Sequence, residues 1–350
     1  MVSLLALLIC QPALDDTTTP GAREFKLAEV PVLDYSPETN GMVGAGLLLS
    51  SVHPALSNPL QSSAGALAFV TFNGQWGVNA FSHFYLDRDR YLLRFQAALF
   101  DGDHFFFGVG DSPTVEATTF DITDRNVELA LLRRVAFREL FVGPLVRYQR
   151  VNAPGQSVSV LAGETAPDGA SLLGAGGQVL WDGRDRALRT SQGIYASARS
   201  LFYGAGSAFD HFEGTLDVRG FTPLGNDWVL AVQAMYDVRR GEVPFFSKAF
   251  IGASDRLRGT FVGRFRDDAA LYGRGELRSP EFWWHFSAVA FGGVGSVAPR
   301  TSELFERRGV VTVGAGLRLM LGEDGANARL DIGLGPDGES TTYFALGEAF

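Results

Sequence analysis

The chain has 350 residues, enough for one large domain or two ordinary ones, and its net charge of −9 includes no basic block, which excludes a nucleic-acid partner. The one cysteine, Cys10, stands in the N-terminal leader, so the body offers neither a disulfide nor a thiolate ligand set. The 42 glycines are scattered without a period, which excludes collagen-like and solenoid folds, and beyond residue 10 no apolar run approaches the roughly 18–20 residues of a membrane-spanning helix.

Residues 1–9 (MVSLLALLI) read as the core of a secretory signal, so 1–22 are assigned to a leader and 23–350 to the body. No Lys or Arg precedes the run, and no small-x-small cleavage site follows it. Two other readings stay open: Leu7-Leu8-Ile9-Cys10 as a lipoprotein site, with bulky Ile9 against it, and a mis-set start codon or plain tail.

From about Glu29 onward the chain repeats a segment of roughly 10–14 residues with period-two polarity, followed by a turn. The predicted strands are 29–36, 41–50, 64–73, 75–86, 90–101, 117–134, 137–151, 171–182, 193–203, 209–221, 227–239, 269–279, 284–295, 309–320, 326–334 and 341–350, sixteen in all. In the fourth, Asn79 and His83 oppose Trp76, Val78 and Phe84; in the fifth, Arg94 and Gln96 oppose Tyr91, Leu93, Phe95 and Leu99. In the tenth, His211, Glu213, Thr215, Asp217 and Arg219 oppose Phe212, Leu216 and Val218. In the eleventh, Leu230, Val232 and Ala234 form a stripe bracketed by Trp228 and Tyr236; in the twelfth, Tyr272, Arg274, Glu276 and Arg278 oppose Leu271, Gly273, Gly275 and Leu277. A soluble sandwich alternates too. Here, though, the charged face recurs in consecutive strands and aromatics end the apolar stripes. The long connections 102–116, 152–170, 240–268 and 296–308 share one side, while 51–63 and 183–192 are exceptions among the short turns of the other. The expected fold is all-β: a transmembrane antiparallel β-barrel of sixteen strands in a bacterial outer membrane, surrounded by outer-membrane lipid, with both ends on one side.

Three stretches carry a family pattern. The first is Gly176-Gly177-Gln178-Val179-Leu180-Trp181-Asp182-Gly183-Arg184-Asp185, followed by Gly193-Ile194-Tyr195, with Thr190 or Ser191 near where a proline is usual. The second is Phe250-Ile251-Gly252-Ala253-Ser254-Asp255-Arg256-Leu257-Arg258-Gly259-Thr260, followed by Gly263-Arg264 and Glu276-Leu277-Arg278. The third is Arg329-Leu330-Asp331, then Tyr343-Phe344-Ala345-Leu346-Gly347-Glu348-Ala349-Phe350. In their order and spacing the chain resembles the BamA/TamA superfamily of outer-membrane assembly and translocation barrels, the bacterial surface antigen family, over most of its length and most strongly from Leu173 on.

The resemblance implies that the loop near 240–268 folds back into the lumen, where acidic groups of the inner wall hold Arg258 beside Gly259. Glu276, inward on the next strand, is the natural partner, helped by Asp217 or Asp237; an Arg–carboxylate pair in a partly dehydrated lumen is strong. The alternative is a solvated surface arginine. Two departures stand out. Thr260 occupies the aromatic position of the R-G-(F/Y) tip, with Phe261 next, and Phe291-Gly292-Gly293-Val294-Gly295 stands where the family reads F-x-D-x-G, so the expected aspartate is Gly293. Phe344, Leu346 and Phe350 match the terminal signal read by the outer-membrane assembly machinery during biogenesis, on one lipid-facing strand face. The last strand is expected to meet the first, 29–36, at a weak seam with Pro31 and Pro37 at its ends, since proline cannot donate to a ladder.

No enzyme, metal or cofactor is expected. His53, His83, His211 and His285 are dispersed, Asp101-Gly102-Asp103-His104 has no second cluster, and no G-x-S-x-G occurs. Leu173-Gly174-Ala175-Gly176-Gly177 sits inside a strand with no helix after it, unlike a nucleotide loop. Assembly members of the family carry periplasmic client-docking modules ahead of the barrel, and residues 1–28 are too few to form one. Two functions follow. One is a minimal assembly or translocation barrel that meets a client or periplasmic partner protein; the other is a passive pore or structural barrel. An inward 240–268 loop would favour the first.

Overall fold

The structure, a computed structural model, describes residues 24–52, 61–113, 116–153, 161–186, 189–321 and 327–350. The leader with Cys10, His53 and parts of the 51–63, 152–170 and 183–192 connections lie outside the described residues.

The strands are β1 (Glu24–Asp34), β2 (Met42–Val52), β3 (Ser62–Thr71), β4 (Trp76–Leu86), β5 (Tyr91–Phe106), β6 (Thr118–Arg134), β7 (Leu140–Asn152), β8 (Gly169–Asp182), β9 (Gly193–Tyr203), β10 (His211–Gly225), β11 (Trp228–Gly241), β12 (Ala249–Ile251), β13 (Phe265–Asp267), β14 (Ala269–Arg278), β15 (Phe286–Ala298), β16 (Val310–Met320), β17 (Asn327–Leu334) and β18 (Ser340–Leu346). A 16-stranded sheet takes all but β12 and β13 in chain order, each strand antiparallel to its neighbours. This is the architecture expected from the two-residue periodicity. β12 and β13 pair separately, inside the long connection after β11. No helix among the described residues is long and apolar enough to cross a membrane.

The first and last strands meet at one bridge. Tyr35 N donates to Phe344 O at 2.7 Å, and Phe344 N donates to Tyr35 O at 3.0 Å. Below it Val30 packs on Leu346, with Leu48 and Leu321 alongside. Two expectations are corrected here. The ladder of the last strand stops at Leu346, not at Phe350, and its final residues are held by arginines of the inner wall, Arg318 on Glu348 and Arg274 on Ala349 O and the Phe350 ring. The Asp101–His104 run lies on β5 and not in a loop: β5 stays paired with β6 out to Phe106, where Phe106, Phe120 and Phe245 form an apolar cluster.

Alternation sorts the two faces of the wall. Leu216, Val218, Leu230, Val232, Val179, Ile194, Val313 and Ile332 point outward and are exposed. Glu213, Asp217, Gln233, Asp237, Arg274, Glu276, Arg278, Arg318, Arg329 and Asp331 point inward and are buried. The inner face also holds an apolar cluster of Leu132, Phe141, Leu145, Leu172, Leu180, Leu201 and Tyr203, because curvature brings inward side chains of neighbouring strands into contact. Ion pairs cross the wall beside it: Glu128 takes Arg147 at 3.3 Å and Arg199, and Glu213 takes Arg147 at 3.1 Å. The turns at 87–90, 135–139, 226–227 and 279–285 lie at the end that carries both termini, and the longer connections 242–268 and 299–309, with 161–168, lie at the other. Short turns mark the periplasmic end of such a barrel.

Candidate functional site

The connection after β11 turns inward. β12 and β13 form a short hairpin, and Ile251, Leu257 and Phe265 pack on Ala270, Tyr272, Val297 and Val310 of the inner wall. Burial of this apolar stem holds the loop inside, beside the Lys248–Asp268 and Arg256–Asp237 ion pairs. From it the backbone carries Arg258 toward the periplasmic half, where Glu276 stands two residues from the end of β14.

Arg258 is 2% exposed. Its Nη2 donates to Glu276 Oε2 at 2.5 Å and its Nη1 to Asp331 Oδ2 at 2.7 Å, while its guanidinium lies 3.6 Å from the centre of the Phe291 ring. Glu276 also takes Arg278 at 2.8 Å and Arg318 at 3.5 Å. Asp331 also takes Arg318 at 2.6 Å and Arg329 at 3.4 Å. Glu348, in the C-terminal tail, takes Arg318 at 3.2 Å and Arg278 at 3.8 Å and accepts from Asn327 Nδ2 at 2.8 Å. Loop, wall and tail thus share one buried charge network, in which removing an acid leaves buried arginines uncompensated.

Gly259 has a φ of +118°, and a Cβ there would stand 2.7 Å from Leu334 O. A Cβ on Gly333 would in turn stand 2.6 Å from Gly259 N. The Arg-Gly pair is readable in these terms: the arginine supplies the bonds, and the glycine lets the loop backbone touch β17. Beyond it Thr260 donates to Glu339 Oε2 at 2.8 Å, Phe261 N to Glu339 Oε1 at 2.7 Å, and Val262 N to Glu38 Oε1 at 2.9 Å. A hydroxyl at 260 therefore finds an acceptor, while Phe261 packs on Phe105 and Phe107.

Asp217 and Asp237 do not reach Arg258. Asp237 takes Arg256 at 3.0 Å and Thr215 at 2.7 Å; Asp217 takes Arg219 at 2.6 Å and Gln233 at 2.7 Å. Asp237 holds the loop through Arg256, while Asp217 bonds within the wall, to β10 and β11. Asp331, Arg318, Arg329 and Glu348 were not named from the sequence as members of the site. Asp331 and Arg329 carried a signal, being charged at alternate positions of one strand; Glu348 carried none, because its strand ends before it.

Phe344 and Leu346 lie on β18. Phe350 does not share their face. Its ring lies 4.2 Å from the Arg274 guanidinium and 5.5 Å from that of Arg278, edge-on to Phe221, and Arg274 Nη2 donates to Ala349 O at 2.6 Å. The tail therefore ends inside the barrel.

The Asp182-Gly183-Arg184-Asp185 stretch makes a compact turn at the periplasmic end. Arg184 donates to both Asp182 oxygens at 2.8 and 2.7 Å and lies over Tyr195. Burial alone would raise the Asp185 carboxyl, but hydrogen bonds from Ser191 and Gln192 hold it below its ordinary value. The turn leans under the barrel mouth, and Arg278 Nη1 donates to Thr190 O at 3.2 Å.

A family model described as the Omp85 superfamily domain matches residues 78–350. The chain belongs to the Omp85 superfamily. Solved structures that share the fold include two barrels. BamA from Haemophilus ducreyi lacking POTRA domains 1–3 aligns with a TM-score of 0.63 at 13% identity, over 97% of this chain and 74% of that one. CdiB from Acinetobacter baumannii aligns with a TM-score of 0.59 at 14% identity, over 91% of this chain and 59% of that one. No curated protein matches the sequence. As an Omp85 barrel, the chain is an integral outer-membrane protein.

Proposed function

We propose that this barrel handles unfolded polypeptide at its β1–β18 seam, as an outer-membrane assembly or translocation factor that works with a client and a separate periplasmic partner. The single bridge between Tyr35 and Phe344 carries the reading. Among the described residues, β1 has a ladder partner only on its β2 side. In the hydrocarbon core an unpaired strand edge is costly, and an incoming strand that pairs with it removes that cost. The inward loop also supports polypeptide handling over passive conduction, since it occupies the lumen. In this reading Arg258, Gly259 and Glu276 lock the loop, with Asp331 as the second acid. Phe344, Leu346 and Phe350 form the terminal signal for the chain's own assembly.

The test replaces Tyr35 and Phe344 with cysteine in a Cys10→Ser background and reconstitutes the full chain in liposomes. The reduced protein is expected to speed insertion of an unfolded outer-membrane barrel, and the oxidised, cross-linked protein to lose that effect. Ion conductance with no acceleration in either state overturns the proposal in favour of a pore.

A further inference from the structure

The hairpin between β14 and β15 carries three consecutive exposed rings: Phe282 at 61%, Trp283 at 69% and Trp284 at 74%. Trp284 and His285 are the two central residues of the turn, with φ of 39° and 68°. That left-handed geometry suits Asn, Asp and Gly. The neighbouring two-residue turn between β10 and β11 uses Asn226 and Asp227 at 49° and 61°. A bulky tryptophan at such a position is strained, and strain of this kind is kept where the side chain serves the molecule.

The hairpin has two unlike sides. Trp283 stacks on Phe286 at 5.8 Å and 12°. Phe286 belongs to the outward register of β15, because inward Phe291 lies beneath Arg258. The aromatic side thus continues the lipid-facing wall. On the other side Glu281 accepts from Arg189 at 2.9 Å and faces His285 at 3.4 Å, and Arg189 neighbours Thr190, the residue that caps Arg278. The polar side thus faces the barrel mouth. In height the hairpin continues the aromatic rim of this end: Val229 pairs with Arg278, so outward-facing Trp228 stands level with the root of the hairpin, and Trp181 with Phe137 marks the same end further round.

We infer that the 279–285 hairpin is an interfacial anchor whose rings Phe282, Trp283 and Trp284 lie at the boundary between headgroups and acyl chains of the phospholipid leaflet at the periplasmic end. Tryptophan favours that depth because its ring is apolar and its N–H finds a partner there. The anchor steadies β14 and β15, the strands that carry Glu276 and Phe291. It stands whether or not the seam handles clients.

The test uses the full chain in phospholipid vesicles with Trp76, Trp181 and Trp228 replaced by Phe, which leaves Trp283 and Trp284 as the fluorophores of the five tryptophans. Phospholipids brominated near the top of the acyl chain are expected to quench the emission strongly, chain-end bromines less, and aqueous iodide weakly. Replacing Phe282 with Ser in that background is expected to red-shift the emission and raise iodide quenching, while heat-modifiable mobility still reports a folded barrel. Strong iodide quenching with no bromolipid quenching overturns the inference and marks the rings as a water-facing surface for a periplasmic protein.

Discussion

Arg258 donates to Asp331 at 2.7 Å, joining the inward loop to β17. The family pattern puts its aspartate at the position of Gly293, on β15. A Cβ at 293 would stand 2.5 Å from Leu257 Cδ2 and 2.9 Å from Gly273 O. Leu257 fills the space in front of β15, so the second acid for Arg258 comes from a different strand.

The network has a charge count that can be tested. Arg258, Arg278, Arg318 and Arg329 share Glu276, Asp331 and Glu348, four cations to three anions. Removing Arg258 leaves three against three; removing Asp331 leaves four against two. Asp331→Ala is therefore expected to cost about 3–5 kcal/mol, as a broken buried pair does, and Arg258→Ala less. Urea unfolding of the two variants checks the order, and a reversed order would show that the count does not govern stability here.

Gly259 and Gly333 approach each other backbone to backbone. Gly259→Ala and Gly333→Ala are each expected to lift the loop from β17, the first also because its φ is +118°. Limited proteolysis in the 242–268 loop reads this directly. Cleavage unchanged from the parent protein would show that the close approach is dispensable.

Glu29 stands midway along β1 on its outward face, at the rim of a shallow trough of about 620 Å³ lined by Ala45, Leu47, Ala66, Ala68 and Val78. A carboxylate facing lipid at that height is unfavourable. Glu29→Leu is expected to stabilise the barrel by about 1–2 kcal/mol, and Glu29→Lys to destabilise it by about 1–2 kcal/mol, the excess of a lysine's cost in lipid over that of a carboxylate. Folding titrations in phospholipid vesicles measure both. If Glu29→Leu stabilises the barrel but abolishes its effect on client insertion, the carboxylate serves the seam.

Phe350 lies over Arg274 and beside Arg278. Phe350→Ala is expected to cost about 1–2 kcal/mol of tail docking and to make the C-terminus sensitive to carboxypeptidase in the folded protein. Phe344→Ala, on the ladder, is expected to lower the yield of assembled barrel in cells without exposing the tail. Equal carboxypeptidase sensitivity in both variants would mean that the tail is held by the strand and not by the arginines.

Much of the wall was legible in advance. β9 occupies the predicted 193–203, and β14 and β16 differ from prediction by one residue at one end. Their length and alternation are local properties, set by which side chains face lipid and which face the interior. Arg258 and Glu276 were legible as a pair because both belong to a recognisable pattern. The extension of β5 to Phe106 was not, since there Phe106 packs inward on Phe120 of β6 and on Phe245, which lies far away in sequence.

By itself the sequence determined the strands, their count, the inward-facing residues and the loop that leaves the wall, because a two-residue period is written into each segment. Only the tertiary structure decided that Asp331 meets Arg258 as a second acid, that the tail ends inside the barrel, and that the seam of β1 and β18 rests on the Tyr35–Phe344 bridge. Those depend on curvature: closing the sheet brings β14, β16, β17 and the tail around one point, and side chains up to 73 residues apart then share a charge that no local pattern could assign.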